Sequence, residues 1–131
     1  MRSMRITTNL TVADIEAALQ ATDSDWGRDT LRALGDQSPL MLHVTLEQIR
    51  RARGMTLAEE LRMERDLVHH CFYLRPVEQS ETVEGVRALA IDKDQQPQWQ
   101  PARIQDVDAA EVAAFFVSPW SAAEHPLASL S

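Results

Sequence analysis

SPLMLHVTLEQIRRARGMTLAEELRMERDLVHHCFY, residues 38–73, carries two consecutive helix signatures with their punctuation. Ser38 followed by Pro39 reads as a cap residue with proline in the first turn, where the missing N–H leaves nothing unsatisfied. The helix it opens is expected to reach about Arg53 and to stop at Gly54, a residue that accepts a left-handed cap. Leu40, Met41, Leu42, Val44, Leu46 and Ile49 lie nearly all round its first half, which marks a central helix. Thr56 with Glu59 three residues on is a capping box, and the pattern behind it extends a second helix to about Tyr73. Leu57, Leu61, Val68, Cys71 and Phe72 fall on one seam at helical spacing, the expected core face of that helix.

Working outward, Thr11 with Asp14 reads as another capping box, opening a helix to about Ala21. Ser24 or Asp25 caps a helix through Trp26, Leu31 and Leu34 that ends at Gly35. After Tyr73 a break from Arg75 to Ser80 contains Pro76. A fifth helix, about Thr82 to Ile91, is expected to pack Val83, Val86 and Ala90. A polar connector with Asp94, Pro97, Trp99 and Pro101 follows. Asp108 with Glu111 behind it opens a short last helix that points Val112, Phe115 and Phe116 inward. Strand signals are nearly absent and no internal repeat is visible, so the fold class is all-α with about six helices. The expected division is an N-terminal segment 1–10, a helical domain 11–117 and an extended tail 118–131.

With 131 residues, 44% of them apolar, the chain supports one domain with a small core. Its 13 basic residues against 20 acidic ones give a net charge of −7. Only Lys93 among the basic residues is a lysine. Such a chain is repelled by phosphate backbones and anionic lipid, which disfavours nucleic-acid and membrane-surface roles. Nowhere do eighteen apolar residues run together, so no membrane span is expected. A lone cysteine, Cys71, fits a buried thiol in a reducing compartment, and the expectation is a cytoplasmic protein.

Few residues offer chemistry. His69, His70 and Cys71 are adjacent, but neighbours on a helix diverge by about 100°, so three in a row do not close on one ion. No CxxC, HxxxH or HExxH completes a metal site. There is no GxSxG and no glycine loop for a phosphate, and no catalytic residue is assigned. Arg50, Arg51 and Arg53 stand in the last turn of a helix, where cations oppose the negative dipole end. Glu64 sits in the middle of the apolar seam. A buried charge must be paired or neutralised, and the expected solution is a structural ion pair with Arg87 on the next helix rather than a catalytic acid.

From about Thr11 to Phe116 the chain resembles the C-terminal part of 3-hydroxyisobutyryl-CoA hydrolases, within the enoyl-CoA hydratase/isomerase (crotonase) superfamily. Ser38 to Leu46 is similar to the family's SP-x-SLK-V/I-TL segment, and Leu61-Arg62-Met63-Glu64 to its L-x-ME. Glu84-Gly85-Val86-Arg87-Ala88-Leu89-Ala90-Ile91-Asp92-Lys93-Asp94 resembles EGVRA-x-LIDKD, followed by Pro97, Trp99 and Pro101 as P-x-W-x-P. His43 stands where the family usually has lysine, and the connector before Glu84 is about five residues longer than usual.

The resemblance implies the helical C-terminal domain of an acyl-CoA-processing enzyme. The core of ββα turns, the oxyanion hole and the catalytic carboxylates belong to an earlier part of such chains. It implies a CoA thioester as the parent enzyme's substrate, with no bound cofactor, and a chain that is inactive alone. Lys93 is the one candidate ligand contact, to a CoA phosphate, since a mobile ammonium suits that group. The expected partners are a second copy (a dimer, then a trimer) or the missing core. The surface expected to be uncovered is Leu40, Met41, Leu42 and Val44 of the third helix with Phe115 and Phe116. The competing reading is a free-standing helical interaction domain.

Overall fold

The structure, a computed structural model, describes residues 10–131. The expected N-terminal segment 1–10 lies outside the described residues except for Leu10. Six α-helices follow in order: α1 Val12–Ala21, α2 Asp25–Gly35, α3 Pro39–Ala52, α4 Leu57–Tyr73, α5 Glu81–Val86 and α6 Ala109–Ala114. Short 3₁₀ turns sit at Val77–Gln79 and Ile104–Asp106, and a π-helical turn, Arg87–Ile91, prolongs α5.

The expected caps form. Thr11 and Asp14 exchange side-chain and backbone hydrogen bonds, as do Thr56 and Glu59. The hydroxyls of Ser24 and Ser38 accept from the amides of Gly27 and Met41, and Pro39 opens α3. Each satisfies a donor that the first helical turn leaves without a partner, which is worth about 1 kcal/mol.

The core is centred on α3. Leu40 and Val44 are fully buried and cluster with Met63 and Leu67 of α4 and with Phe115 just after α6. Each such side chain contributes about 1.5–3 kcal/mol by leaving water. Met41, Val112 and Phe116 pack against the same cluster. The patch expected to be uncovered on α3 is therefore the core itself, closed by the returning last helix.

On α4 the burial departs from the expectation, with Leu61 and Cys71 of the expected seam only half-buried. Ala58, Met63, Asp66, Leu67 and His70 face inward, whereas Leu57 is 70% exposed, Val68 55% and Phe72 47%. At about 100° per residue these are nearly opposite faces of one helix. A polar pair explains why the inward face escapes a periodicity reading. Asp66 is buried because His125 Nε2–H donates to its Oδ1 at 2.9 Å and Ser118 Oγ–H donates to the same oxygen at 3.1 Å. His70 is buried with Nε2–H donating to the Val117 carbonyl at 2.6 Å.

Those partners belong to the tail, which is not extended. Residues 118–131 wind through turns, with Ala128 N–H donating to His125 O and Leu130 N–H to Leu127 O. The tail lies along α4. Arg62 donates to the carbonyls of Leu127 and Leu130, and Arg65 stacks over the Trp120 ring at 4.9 Å.

A second shift occurs after Val86. Asp92 N–H donates to Arg87 O at 2.8 Å, a five-residue closure. The extra residue in that turn rotates the following side chains by about 100°. Within that turn Ala88 is buried while Ala90, expected inside, is exposed; Val86, expected inside and preceding the turn, is exposed as well.

Two substitutions separate the faces. Leu40→Ala should cost about 3–5 kcal/mol through the cavity it opens, and Leu57→Ala less than about 0.5 kcal/mol. Urea denaturation of both variants measures the difference.

Candidate functional site

Glu81, at the start of α5, is buried and holds four segments together. Ser38 Oγ–H donates to its Oε1 at 2.7 Å, and Gln100 N–H reaches both carboxylate oxygens at 3.2 Å. Arg75 Nη1 lies 3.8 Å from Oε2, and Arg75 Nη2–H donates to Glu111 Oε2 at 2.7 Å. Burial pushes the Glu81 carboxyl above its ordinary value, against the lowering effect of Ser38, Gln100 and Arg75.

One turn further on, Arg87 organises the connector. Its guanidinium donates to both carboxylate oxygens of Glu84 at 2.9 and 2.6 Å, and to Asp92 and Asp94 at 2.8 Å each. These bonds raise the Arg87 pKa further and hold Glu84 and Asp94 below the usual carboxylate range; Gln98 N–H and Gln96 N–H reinforce them. Arg87 is thus committed to its own segment. The expected Glu64–Arg87 pair is not among the ion pairs of the described residues, and Glu64 stands on the outer side of α4, half-buried. Sequence proximity decides the competition, since the three carboxylates that Arg87 binds all lie within seven residues of it.

Lys93 is exposed between Asp92 and Asp94, with φ 57°, and Gln95 has φ 58°. A left-handed conformation costs a residue with a Cβ about 1 kcal/mol or more. The grip of Arg87 on both flanking aspartates and the Gln95 N–H bond to Ala88 O at 3.0 Å hold it there. Strain maintained by surrounding bonds is found at ligand clamps as well as turns.

The connector also walls a half-open cleft of ≈ 700 Å³ between the end of α2, α5 and residues 95–102. Trp99 forms one side. Its Nε1–H donates to Asp36 O at 3.3 Å, and its ring lies so close to Gly85 that a Cβ there would stand 3.3 Å from Cη2. Gln37, Gln95 and Gln98 line it with amides, and Ala88 and Leu89 with apolar atoms. The cleft suits a ligand with a flat apolar part and hydrogen-bonding edges. The sequence reading missed Glu81 and this cleft. The glycine within Glu84–Ala88 and the tryptophan between two prolines were their signals.

His69, His70 and Cys71 point to different neighbours. His69 packs edge-on to Trp120, His70 bonds Val117, and Cys71 is half-buried with its thiol raised by burial against a hydrogen bond from Thr82. Among the described residues no group of three or more His, Cys, Asp or Glu side chains is placed to hold a metal ion.

Glu81→Ala should cost about 1–3 kcal/mol, because it leaves the buried Ser38 hydroxyl without its acceptor while Arg75 keeps Glu111; thermal denaturation reads it. The pH dependence has two opposing parts. Glu84 and Asp94, with lowered pKa values, stabilise the fold above their ordinary 4.5 and 3.8 and lose that contribution as pH falls through the lowered values. Glu81, with a raised value, acts the other way: stability declines as pH rises from 4.5 through the raised pKa. Denaturation at a series of pH values should show Asp94→Asn flattening the acid-side loss and Glu81→Gln flattening the decline above it.

Comparison with known proteins gives the geometry its context. The family model described as Enoyl-CoA hydratase/isomerase matches residues 3–116. The rat protein named 3-hydroxyisobutyryl-CoA hydrolase, mitochondrial, is 35% identical over 108 residues, which are 82% of this chain and 27% of the relative. An Arabidopsis thaliana protein named as a probable 3-hydroxyisobutyryl-CoA hydrolase is 35% identical, over 81% of this chain and 29% of that protein. Among solved structures, an enoyl-CoA hydratase from Rhodobacter sphaeroides superposes with a TM-score of 0.73 at 33% identity, over 84% of this chain and 32% of that one. A carnitinyl-CoA dehydratase from Mycobacterium thermoresistibile gives 0.70 at 35% identity, over 84% and 30%. The chain therefore spans less than a third of the relatives it matches. The match takes in α1 to α6 with the Glu81 and Arg87 networks between them, and by it the chain belongs to the enoyl-CoA hydratase/isomerase family.

Proposed function

We propose that this chain is the C-terminal helical part of an acyl-CoA-processing enzyme, resembling the 3-hydroxyisobutyryl-CoA hydrolases, and that it supports assembly and covers the CoA site without being catalytic alone. The observation that carries the reading is the combination of a match over most of this chain with a span of 27% of the rat relative and 32% of the Rhodobacter sphaeroides one. The segment from Glu84 to Pro101 resembles a late part of such enzymes, which supports the C-terminal placement.

Thioester chemistry needs a polarising pair of N–H donors at the carbonyl and an acid–base group within hydrogen-bond reach of the reacting atoms. In this reading both come from the ββα core. The helical part contributes positioning. Arg87 holds the connector rigid, and Lys93, lifted out between two committed aspartates, presents its ammonium to a CoA phosphate. A hydrolase that uses 3-hydroxyisobutyryl-CoA is favoured over a hydratase or isomerase by the names of the rat and Arabidopsis thaliana relatives. A cytoplasmic setting belongs to the proposal and rests on the single reduced cysteine. Among the described residues no helix is long and apolar enough to cross a membrane.

The purified 131-residue chain should release no thiol from 3-hydroxyisobutyryl-CoA in a thiol-trapping assay. Turnover that a point substitution within this chain abolishes would overturn the reading. In an enzyme assembled from this chain and a ββα core, Lys93→Ala should raise KM for the CoA ester several-fold at unchanged kcat. An unchanged KM removes Lys93 from the CoA site.

A further inference from the structure

Arg50, in the last turn of α3, withdraws two guanidinium N–H groups from water, at Nε and Nη2, and among the described residues neither meets a hydrogen-bond acceptor. Its neighbour behaves differently. Arg51 Nε–H donates to Glu47 Oε2 at 2.7 Å, and the Arg51 guanidinium lies 4.4 Å from the centre of the Phe116 ring. Arg75 and Arg87 likewise bond to carboxylates. The negative end of the helix dipole accounts for a cation in this turn, but not for a guanidinium that hides its donors. Arginine does not shed its charge to escape burial, so the stranded N–H groups are a cost that the folding of this domain does not explain.

The same side chain lines a cavity of ≈ 430 Å³ between the start of α1, α3 and α6. Val12, Leu46, Val107 and Val112 give it apolar walls. Its other polar groups are already engaged: Thr11 Oγ1 accepts from Asp14 N–H, His43 Nε2–H donates to Ile104 O at 3.2 Å, and Glu47 is neutralised by Arg51. One uncommitted cation beside an apolar hollow remains. Nε and Nη2 lie on one edge of the planar guanidinium, and their parallel N–H bonds form the fork that fits two oxygens of a carboxylate or a phosphate. The walls decide between them. A phosphate turns its remaining oxygens towards side chains without donors, whereas a carboxylate places both oxygens on the fork and its hydrocarbon against the valines. Turning the fork to the ligand needs only the outer torsions of Arg50 to adjust, a small cost against stranded donors.

We propose that Arg50 and this cavity are a binding site for a small aliphatic carboxylate, held by two hydrogen bonds from the Nε and Nη2 edge with its hydrocarbon part among Val12, Leu46, Val107 and Val112. The volume stands towards the lower end of the range for ligand pockets, which suits a short acyl body. The site is separate from the Trp99 cleft and from Lys93, and it does not depend on the function proposed above.

The test titrates the 131-residue chain with isobutyrate, measuring affinity by calorimetry and following the Arg50 Nε–H resonance by NMR. Saturable binding that shifts this resonance is expected. Isobutyramide, with the same body and no charge, and inorganic phosphate, with charge and no body, should each bind at least tenfold more weakly. Arg50→Lys keeps the charge without the fork and should weaken isobutyrate at least tenfold. Ala113→Phe, at an exposed position of α6 that lines the cavity, should abolish binding at unchanged circular dichroism. Arg53→Lys, exposed and outside the cavity, should change nothing. Without ligand, Arg50→Met should raise the melting temperature, because it removes a stranded cation. A fall in melting temperature instead makes Arg50 a structural group and overturns the inference. So does the absence of saturable isobutyrate binding, equal affinity for isobutyramide or phosphate, or an Arg50→Lys chain that binds as well as the unsubstituted one. None of these results bears on thioester turnover, so the proposed function stands or falls separately.

Discussion

A carboxylate withdrawn from water at Glu81 sets the arrangement of the helices around it. A buried acid is tolerated only when its oxygens are supplied with donors, and here each donor comes from a different segment. Ser38 is simultaneously the cap of α3 and a donor to Oε1, so the start of the central helix is fixed to the start of α5. Gln100 N–H brings the connector back to the same point, and Arg75 joins the end of α4 to both Glu81 and Glu111. Ser80, next to Glu81, caps α5 and also donates to the Cys71 carbonyl on α4. Hydrophobic packing is non-directional and accommodates small slippage of helices. Directional bonds at one buried carboxylate do not, and they define how α3, α4 and α5 meet.

From that joint the second half of the chain follows mechanically. Fixing the start of α5 aims its axis, and beyond the π turn Asp92 and Asp94 meet the Arg87 guanidinium that also holds Glu84. The connector is polar apart from Pro97, Trp99, Pro101 and Ala102, so packing alone would leave most of it loose. Arg87 substitutes ionic and hydrogen bonds for packing. Lys93 and Gln95 keep their left-handed conformations because the residues on either side are tied, not because those residue types favour it.

Helix existence and boundaries were legible because they are written in local chemistry. Thr11, Ser24, Ser38, Thr56 and Asp108 are cap residues, and each caps a helix within a residue or two of its expected start. Which face of a helix goes inward was legible on α3, where apolar residues surround the first half and any orientation buries some of them. It was not legible on α4. There the inward face contains Asp66 and His70, polar residues that are buried only because Ser118, His125 and Val117, some fifty residues away, satisfy them. Periodicity scores such a face as polar and selects the opposite one. The same blindness to distant partners hid Glu81, whose donors lie at positions 38, 75 and 100, and it turned the tail into an expected extension. The Glu64–Arg87 pairing failed for a different reason: helical spacing places two charges on facing seams but does not count closer competitors, and Arg87 has three.

The outer side of α4 is largely apolar, and its inner side combines Met63 and Leu67 with the partnered Asp66 and His70. Leu57, Val68 and Phe72 stand in register towards water on the outer side, with Leu61 half-buried beside them. Each exposed side chain forgoes the roughly 1.5–3 kcal/mol it would contribute if buried, and together they invite nonspecific association. The seam that periodicity identifies as a core is a core stripe by every local criterion, and the structure of the domain leaves it outside. Glu64 sharpens the point, because a carboxylate in the middle of an otherwise apolar row weakens indiscriminate contacts and favours a surface that answers it. The two faces of α4 thus differ: one is used in folding this domain, and the other keeps apolar side chains in contact with water.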